Sequence, residues 1–209
     1  MAETATNKQI LIWEIIGVCF IIIVGGPLHE LFAQSGYWRP LALIAAVNES
    51  IWEHLKMFFW PGLLFACIQY VRIGKRIPNY WFGKLVGLIV TLIVSVASYL
   101  IYMEIERASG YFSPSNLVSA SLSMLSVIVG QTVCYKVLTA KSIPAIVTNV
   151  TRFTPVAYLL LFVAFSSFSY FPPRFFLFEQ HHHYEPIGQY GIDAAPQVGP
   201  HPWDIEGSD

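Results

Sequence analysis

Charge is what this chain of 209 residues has least of. Only 12% of its residues are Asp, Glu, Lys or Arg, where a soluble domain carries about 25%. With 55% hydrophobic residues and a mean hydropathy of +0.55, a disordered chain is excluded and a soluble globule fits poorly. Basic charge is not in excess, at 12 basic against 13 acidic residues, so no nucleic-acid partner is expected. Cysteine is scarce too. Cys19, Cys67 and Cys134 all lie in apolar runs, so they read as small fillers, not as a disulfide framework. The short alternating segments of a membrane β-barrel are missing, and so is any internal repeat that would support an inverted-repeat transporter.

What remains is apolar sequence in long runs. A bilayer core takes about 20 mostly apolar residues per helix. Five segments qualify: Ile10–Gly26, a stretch within Leu41–Arg72, Trp81–Met103, Leu117–Val137 and Thr154–Tyr170. Each must be helical, because lipid offers open backbone groups no partner. The fold class is therefore all-α, a polytopic transmembrane helical bundle over residues 1–171. The first run is kept as a helix and not a signal peptide, since it contains Glu14 and ends in Gly25-Gly26-Pro27, a poor cleavage site. The second is too long for one straight span and should bend or break at Pro61-Gly62, its outer half starting near Leu41.

Five spans place the termini on opposite sides. One side holds eight basic residues, among them Lys8, Arg72, Lys75, Arg76, Lys136 and Arg152; the other holds three, Arg39, Arg107 and Arg174. The positive-inside rule then puts the N-terminus in the cytoplasm and the C-terminus outside, in a plasma or inner membrane. Residues 172–209 change character, from an aromatic stretch (Phe175, Phe176, Phe178) to His181-His182-His183 and a last 20 residues rich in Pro and Gly that read as coil. The partners implied are the lipid bilayer and either a membrane-protein partner or a second copy of the chain.

One region is not lipid-facing filler. Gly26-Pro27-Leu28-His29-Glu30 ends the first run, and Asn48-Glu49-Ser50-Ile51-Trp52-Glu53-His54-Leu55-Lys56 opens the second. An ionisable side chain in a membrane helix costs about 2.5–3.5 kcal/mol on insertion scales, so such a cluster needs pairing, water or an ion. On a continuous helix Glu49, Glu53 and Lys56 share one face at i, i+4 and i+7. Two carboxylates there repel unless something positive intervenes, either Lys56 or a metal. The topology brings His29 to the same end, and His with carboxylate suits zinc or another divalent metal. His29, Glu49, Glu53 and His54 are the candidate metal ligands, and Glu49, Glu53 and Lys56 the candidate catalytic residues. There is no HExxH and no helical i, i+4 histidine pair. A structural network of Glu49, Glu53, Lys56 and Arg39, or an interfacial segment where charge costs little, competes with the functional pocket. Elsewhere, Ser119, Ser123, Ser126 and Gly130 form a small-residue stripe that reads as helix packing. Glu14 and Lys84 lie near span ends, from which they could snorkel to the interface.

Three pieces together carry a resemblance: Gly-Pro-Leu-His29-Glu30, the Asn48–Lys56 stretch with Pro61, and a tail of Pro172-Pro173, Leu177-Phe178, Pro186 and Tyr190-Gly191-Ile192. The chain resembles a family of uncharacterised prokaryotic multi-pass membrane proteins of about this length, with a domain of unknown function. The resemblance implies a membrane location and transfers no catalytic residue. Three functions stay open: a membrane-embedded metal-dependent hydrolase acting on a lipid-like or amide substrate, a subunit of a membrane complex, and a transporter.

Overall fold

A computed structural model describes residues 4–109, 116–140, 151–182 and 185–194. Helix α1 spans Asn7–Gln34. Thr6 caps it, its hydroxyl accepting from the Gln9 amide while the Gln9 side chain accepts from the Thr6 amide, which satisfies two donors that a helix start otherwise strands. Helix α2 spans Ile51–Arg72, α3 Tyr80–Ser109, α4 Asn116–Leu138 and α5 Thr154–Ser167.

Three of these, α1, α3 and α4, are long and apolar enough to cross a membrane. Helix α2 has the length but carries Glu53, His54, Lys56 and Gln69. Helix α5, with 14 residues, reaches about 21 Å, short of a bilayer core of about 30 Å. Large side chains such as Ile15, Ile23, Leu117, Leu159 and Phe171 project outward, as a lipid-facing bundle requires.

The interior is held by ring stacking and by close helix approach. Phe165 of α5 lies between Trp52 and Phe59 of α2, at 4.5 and 4.3 Å between centroids. The small-residue stripe of α4 does what its spacing foretold. A Cβ at Gly130 would stand 1.9 Å from Thr91 Oγ1, and Ser126 is fully buried, so α3 and α4 meet almost backbone to backbone.

Several expectations need correction. The second hydrophobic segment does not become helical near Leu41. Residues Arg39–Leu43 form a short 3₁₀ turn, and α2 starts only at Ile51, after Ser50 has capped it by accepting from the Glu53 amide. From there α2 runs unbroken through Pro61, so of the bend or break expected there the break does not occur. Glu14 and Lys84 do not snorkel. They pair with each other inside the bundle, at 2.7 and 2.8 Å, and Gln69 donates to the same carboxylate at 2.8 Å. The tail is not plain coil: a 3₁₀ turn at Phe176–Phe178 leads into an antiparallel hairpin, β1 (Glu179–His182) and β2 (Glu185–Tyr190). His183 and residues 195–209 lie outside the described residues.

Candidate functional site

The close crossing of α1 and α2 sets the site. A Cβ at Gly25 would lie 2.2 Å from the Met57 carbonyl oxygen, so only glycine lets the two backbones touch there. One turn beyond Gly25 stands His29, and one turn before Met57 stands His54. The crossing therefore brings the two imidazoles together, Nε2 to Nε2 at 3.2 Å.

Glu49 completes a triangle. Because Ser50 is the cap of α2, Glu49 precedes the helix and its side chain is free to turn toward α1. Its Oε2 lies 3.6 Å from His29 Nε2 and 3.4 Å from His54 Nε2. Among the described residues, the three groups form the one cluster of His, Cys, Asp or Glu whose ligand atoms all lie within 4.8 Å of one another. Both histidines are partly buried, and Glu49 is exposed, so the triangle opens toward solvent at one end of the bundle.

The other ring nitrogens decide the protonation. His54 Nδ1 lies 2.8 Å from the Ser50 carbonyl, which only accepts, so Nδ1 carries the proton. His29 Nδ1 lies 2.7 Å from the Glu30 carboxylate, and the same logic applies. Neutral rings held this way point two bare Nε2 lone pairs at each other and at a carboxylate. Three acceptors facing one another at such distances need a cation among them, either a proton or a metal. Where the cation is a proton on the facing ring nitrogens, desolvation opposes ionisation of Glu49, but hydrogen bonds and charge from His29 and His54 outweigh it and hold the carboxyl well below the usual carboxylate range.

Glu53 does not join this cluster, contrary to the expectation that it shares a face with Glu49. At the third helical position it points into the bundle, where it pairs with Lys56 at 2.8 Å and accepts from the Val47 amide and the Ser169 hydroxyl. Lys56 is fully buried and also donates to the Ala42 and Ala45 carbonyls, at 2.6 and 3.2 Å, and to Ser169. Every proton of the ammonium thus has a protein acceptor. Of the candidate set, His29, Glu49 and His54 converge, and Glu53 and Lys56 form a separate buried lock. The Arg39 side chain takes no part in an ion pair among the described residues; its backbone carbonyl accepts from the Tyr170 hydroxyl.

The lock sits beneath the loop that carries Glu49, and the tail closes the loop from its other side. Asn48 donates to the Gly191 carbonyl, the Ile192 amide donates to the Ser169 carbonyl, and Ile192 packs with Phe32, Ala42, Ala45 and Val47. Gly191, at φ +57, has no room for a side chain, since a Cβ would meet the Ser169 oxygen at 2.5 Å. Sequence reasoning missed Ser169, the Asn48 tether and the roles of Glu30 and the Ser50 carbonyl. Only the Ser50-x-x-Glu53 spacing, a helix-start signature, carried a usable signal.

Among known proteins, a family model described as a family of unknown function (DUF6512) matches residues 2–192. No curated protein and no solved structure matches the chain.

Proposed function

The chain belongs to DUF6512, a family of unknown function, and from that premise we propose an integral membrane protein that holds a divalent metal ion between His29, Glu49 and His54. The observation that carries this reading is the triangle of 3.2, 3.4 and 3.6 Å between their ligand atoms. Its centre lies about 2.0 Å from each atom, the length of a zinc–nitrogen or zinc–carboxylate bond. The outer contacts fit as well. A metal-ligating histidine usually donates its second ring N–H to a carboxylate or a backbone carbonyl, and Glu30 and Ser50 are so placed.

The donor set of two imidazoles and one carboxylate suits zinc or a neighbouring first-row ion. Three protein ligands leave a position open, which is the arrangement of catalytic and not structural sites. Bound there, the ion would polarise a water for attack. The residues of the chain hold it and orient it, and the partial burial of both histidines keeps bulk water to one side. We place the protein as a helical membrane bundle with its N-terminus cytoplasmic and the metal site at the outer end. A lipid-like or amide substrate reaching it from the outer leaflet makes a membrane-embedded hydrolase the function that best uses this geometry.

The test is metal analysis of purified, tag-free protein with His181, His182 and His183 changed to Asn, so that a histidine run cannot contribute. About one ion per chain is expected, falling below about 0.2 in His29→Ala and in His54→Ala. The same low content in the unsubstituted cluster sinks the reading. The hydrolase step further expects chelator-sensitive fatty-acid release from an acyl lipid, lost in Glu49→Gln.

A further inference from the structure

A second feature lies at the opposite end of the bundle, where the Ala5 amide meets the Arg76 carbonyl and α2 turns into α3. Here a cleft of about 580 Å³ opens between the 73–79 turn and the start of α5, within the usual range of ligand sites of about 300–1,000 Å³. Its walls are aromatic, with Tyr70, Trp81 and Tyr158 packed ring against ring. Its polar side chains, Lys75, Asn79, Thr151 and Thr154, can each donate, and no acidic residue is among the described lining.

Thr154 is the informative one. It is 5% exposed, and its hydroxyl has no hydrogen-bond partner among the described residues. Threonines within helices or directly after one do not behave so elsewhere among the described residues. Thr91, Thr132 and Thr139 each return the hydroxyl to the carbonyl four residues back. Thr154 stands at the first position of α5, and no side chain caps this helix start. A buried hydroxyl without a partner costs about 1–3 kcal/mol. The first-turn amides and the positive end of the helix dipole add to it, and together they favour an anion.

We propose that this cleft binds the phosphate of an anionic amphiphile, with Lys75, the Thr154 hydroxyl and the start of α5 as donors and the aromatic wall against the attached glycerol and chain. The shared chemistry is a phosphate ester carried by a lipid headgroup or by a soluble molecule. Aromatic side chains beside lysine at the end of a helical bundle are the usual makings of an interfacial headgroup site. This proposal does not depend on the metal reading.

The experiment uses the full chain in nanodiscs of equimolar dioleoyl phosphatidylglycerol and dioleoyl phosphatidylcholine, with retained lipid measured by native mass spectrometry. Phosphatidylglycerol should be retained about fivefold over phosphatidylcholine. Lys75→Ala and Thr154→Val should bring the ratio near parity. Thr154→Ser, which keeps the hydroxyl, and Lys8→Ala, which removes a basic residue elsewhere at this end, should leave it unchanged. If Thr154→Val does not fold, Lys75→Glu at its exposed position carries the test. Glycerol 3-phosphate that displaces the lipid identifies a soluble phosphate ester as an occupant; lipid that resists it identifies the headgroup. Parity in the wild-type protein overturns the proposal, and so does an equal loss in Lys8→Ala and Lys75→Ala, which would mean diffuse charge and no site.

Discussion

Replacing Lys56 by Met separates a structural lock from a catalytic pair. Met keeps most of the stem volume and removes only the ammonium. Left behind are the Glu53 carboxylate, 2% exposed, and the carbonyls of Ala42 and Ala45, whose donor is gone. Removing one partner of a buried ion pair costs about 3–5 kcal/mol, because the other charge stays in a poor solvent. The two stranded carbonyls add a share of about 1–3 kcal/mol each, less than additively since these groups relax together. The expected loss is therefore at least about 3 kcal/mol. For a chain this long that is on the order of 10 °C in apparent unfolding temperature. Intrinsic fluorescence of the six tryptophans in detergent reads the transition, and Trp52 and Trp60 lie beside the lock on α2. The double variant Glu53→Gln with Lys56→Met removes both charges and should be more stable than the sum of the single losses predicts, by about 1 kcal/mol or more. A Lys56→Met protein within about 1 kcal/mol of wild type, or strictly additive single and double variants, refutes the lock.

Two further outcomes follow from the same structure. Lys84→Met strands the buried Glu14 carboxylate, which keeps the Gln69 amide but loses its cation, and should cost about 3–5 kcal/mol by detergent unfolding, with metal content unchanged because this pair lies at the far end of the bundle. Gly25→Leu must push α1 off the Met57 carbonyl and so should lower both unfolding temperature and metal content, whereas Gly26→Ala, with open space around its Cβ, should change stability by no more than about 1 kcal/mol in either direction.

The bundle was legible because hydropathy reports burial in lipid directly. Runs around Ile21, Leu92 and Val127 read as helices without any knowledge of their neighbours. Pairing was not legible. Glu14 and Lys84 are 70 positions apart, and nothing local says that one carboxylate on α1 meets one ammonium on α3. Snorkelling was the sound expectation for each alone, and tertiary proximity overrode it. The hairpin after Phe178 was hidden for a related reason: its strands are short and polar, and its register, Glu179 opposite Tyr190 and His182 opposite Glu185, leaves no hydrophobic alternation to read.

The candidate site shows where a periodicity argument fails. Counting i, i+4 and i+7 from Glu49 assumed that the helix already included Glu49. The Ser50-x-x-Glu53 pattern marks a start, so the helical phase begins after Ser50 and Glu49 belongs to the loop. That one-residue boundary splits the acidic pair. Glu53, on the helix, takes the interior position and needs Lys56 to be tolerated there; Glu49, off the helix, swings outward to the histidines. The two carboxylates thus never compete for one cation, and the repulsion that motivated a shared metal is relieved by separation. What the metal reading rests on is instead the Gly25 crossing, which forces two imidazoles to within 3.2 Å, and the two Nδ1 acceptors, which turn the facing nitrogens toward a shared cation, a proton or a metal. Widening the crossing or removing the Nδ1 acceptors would relieve that conflict with no ion bound, so the cluster's need for a cation is a consequence of backbone packing as much as of its ligand residues.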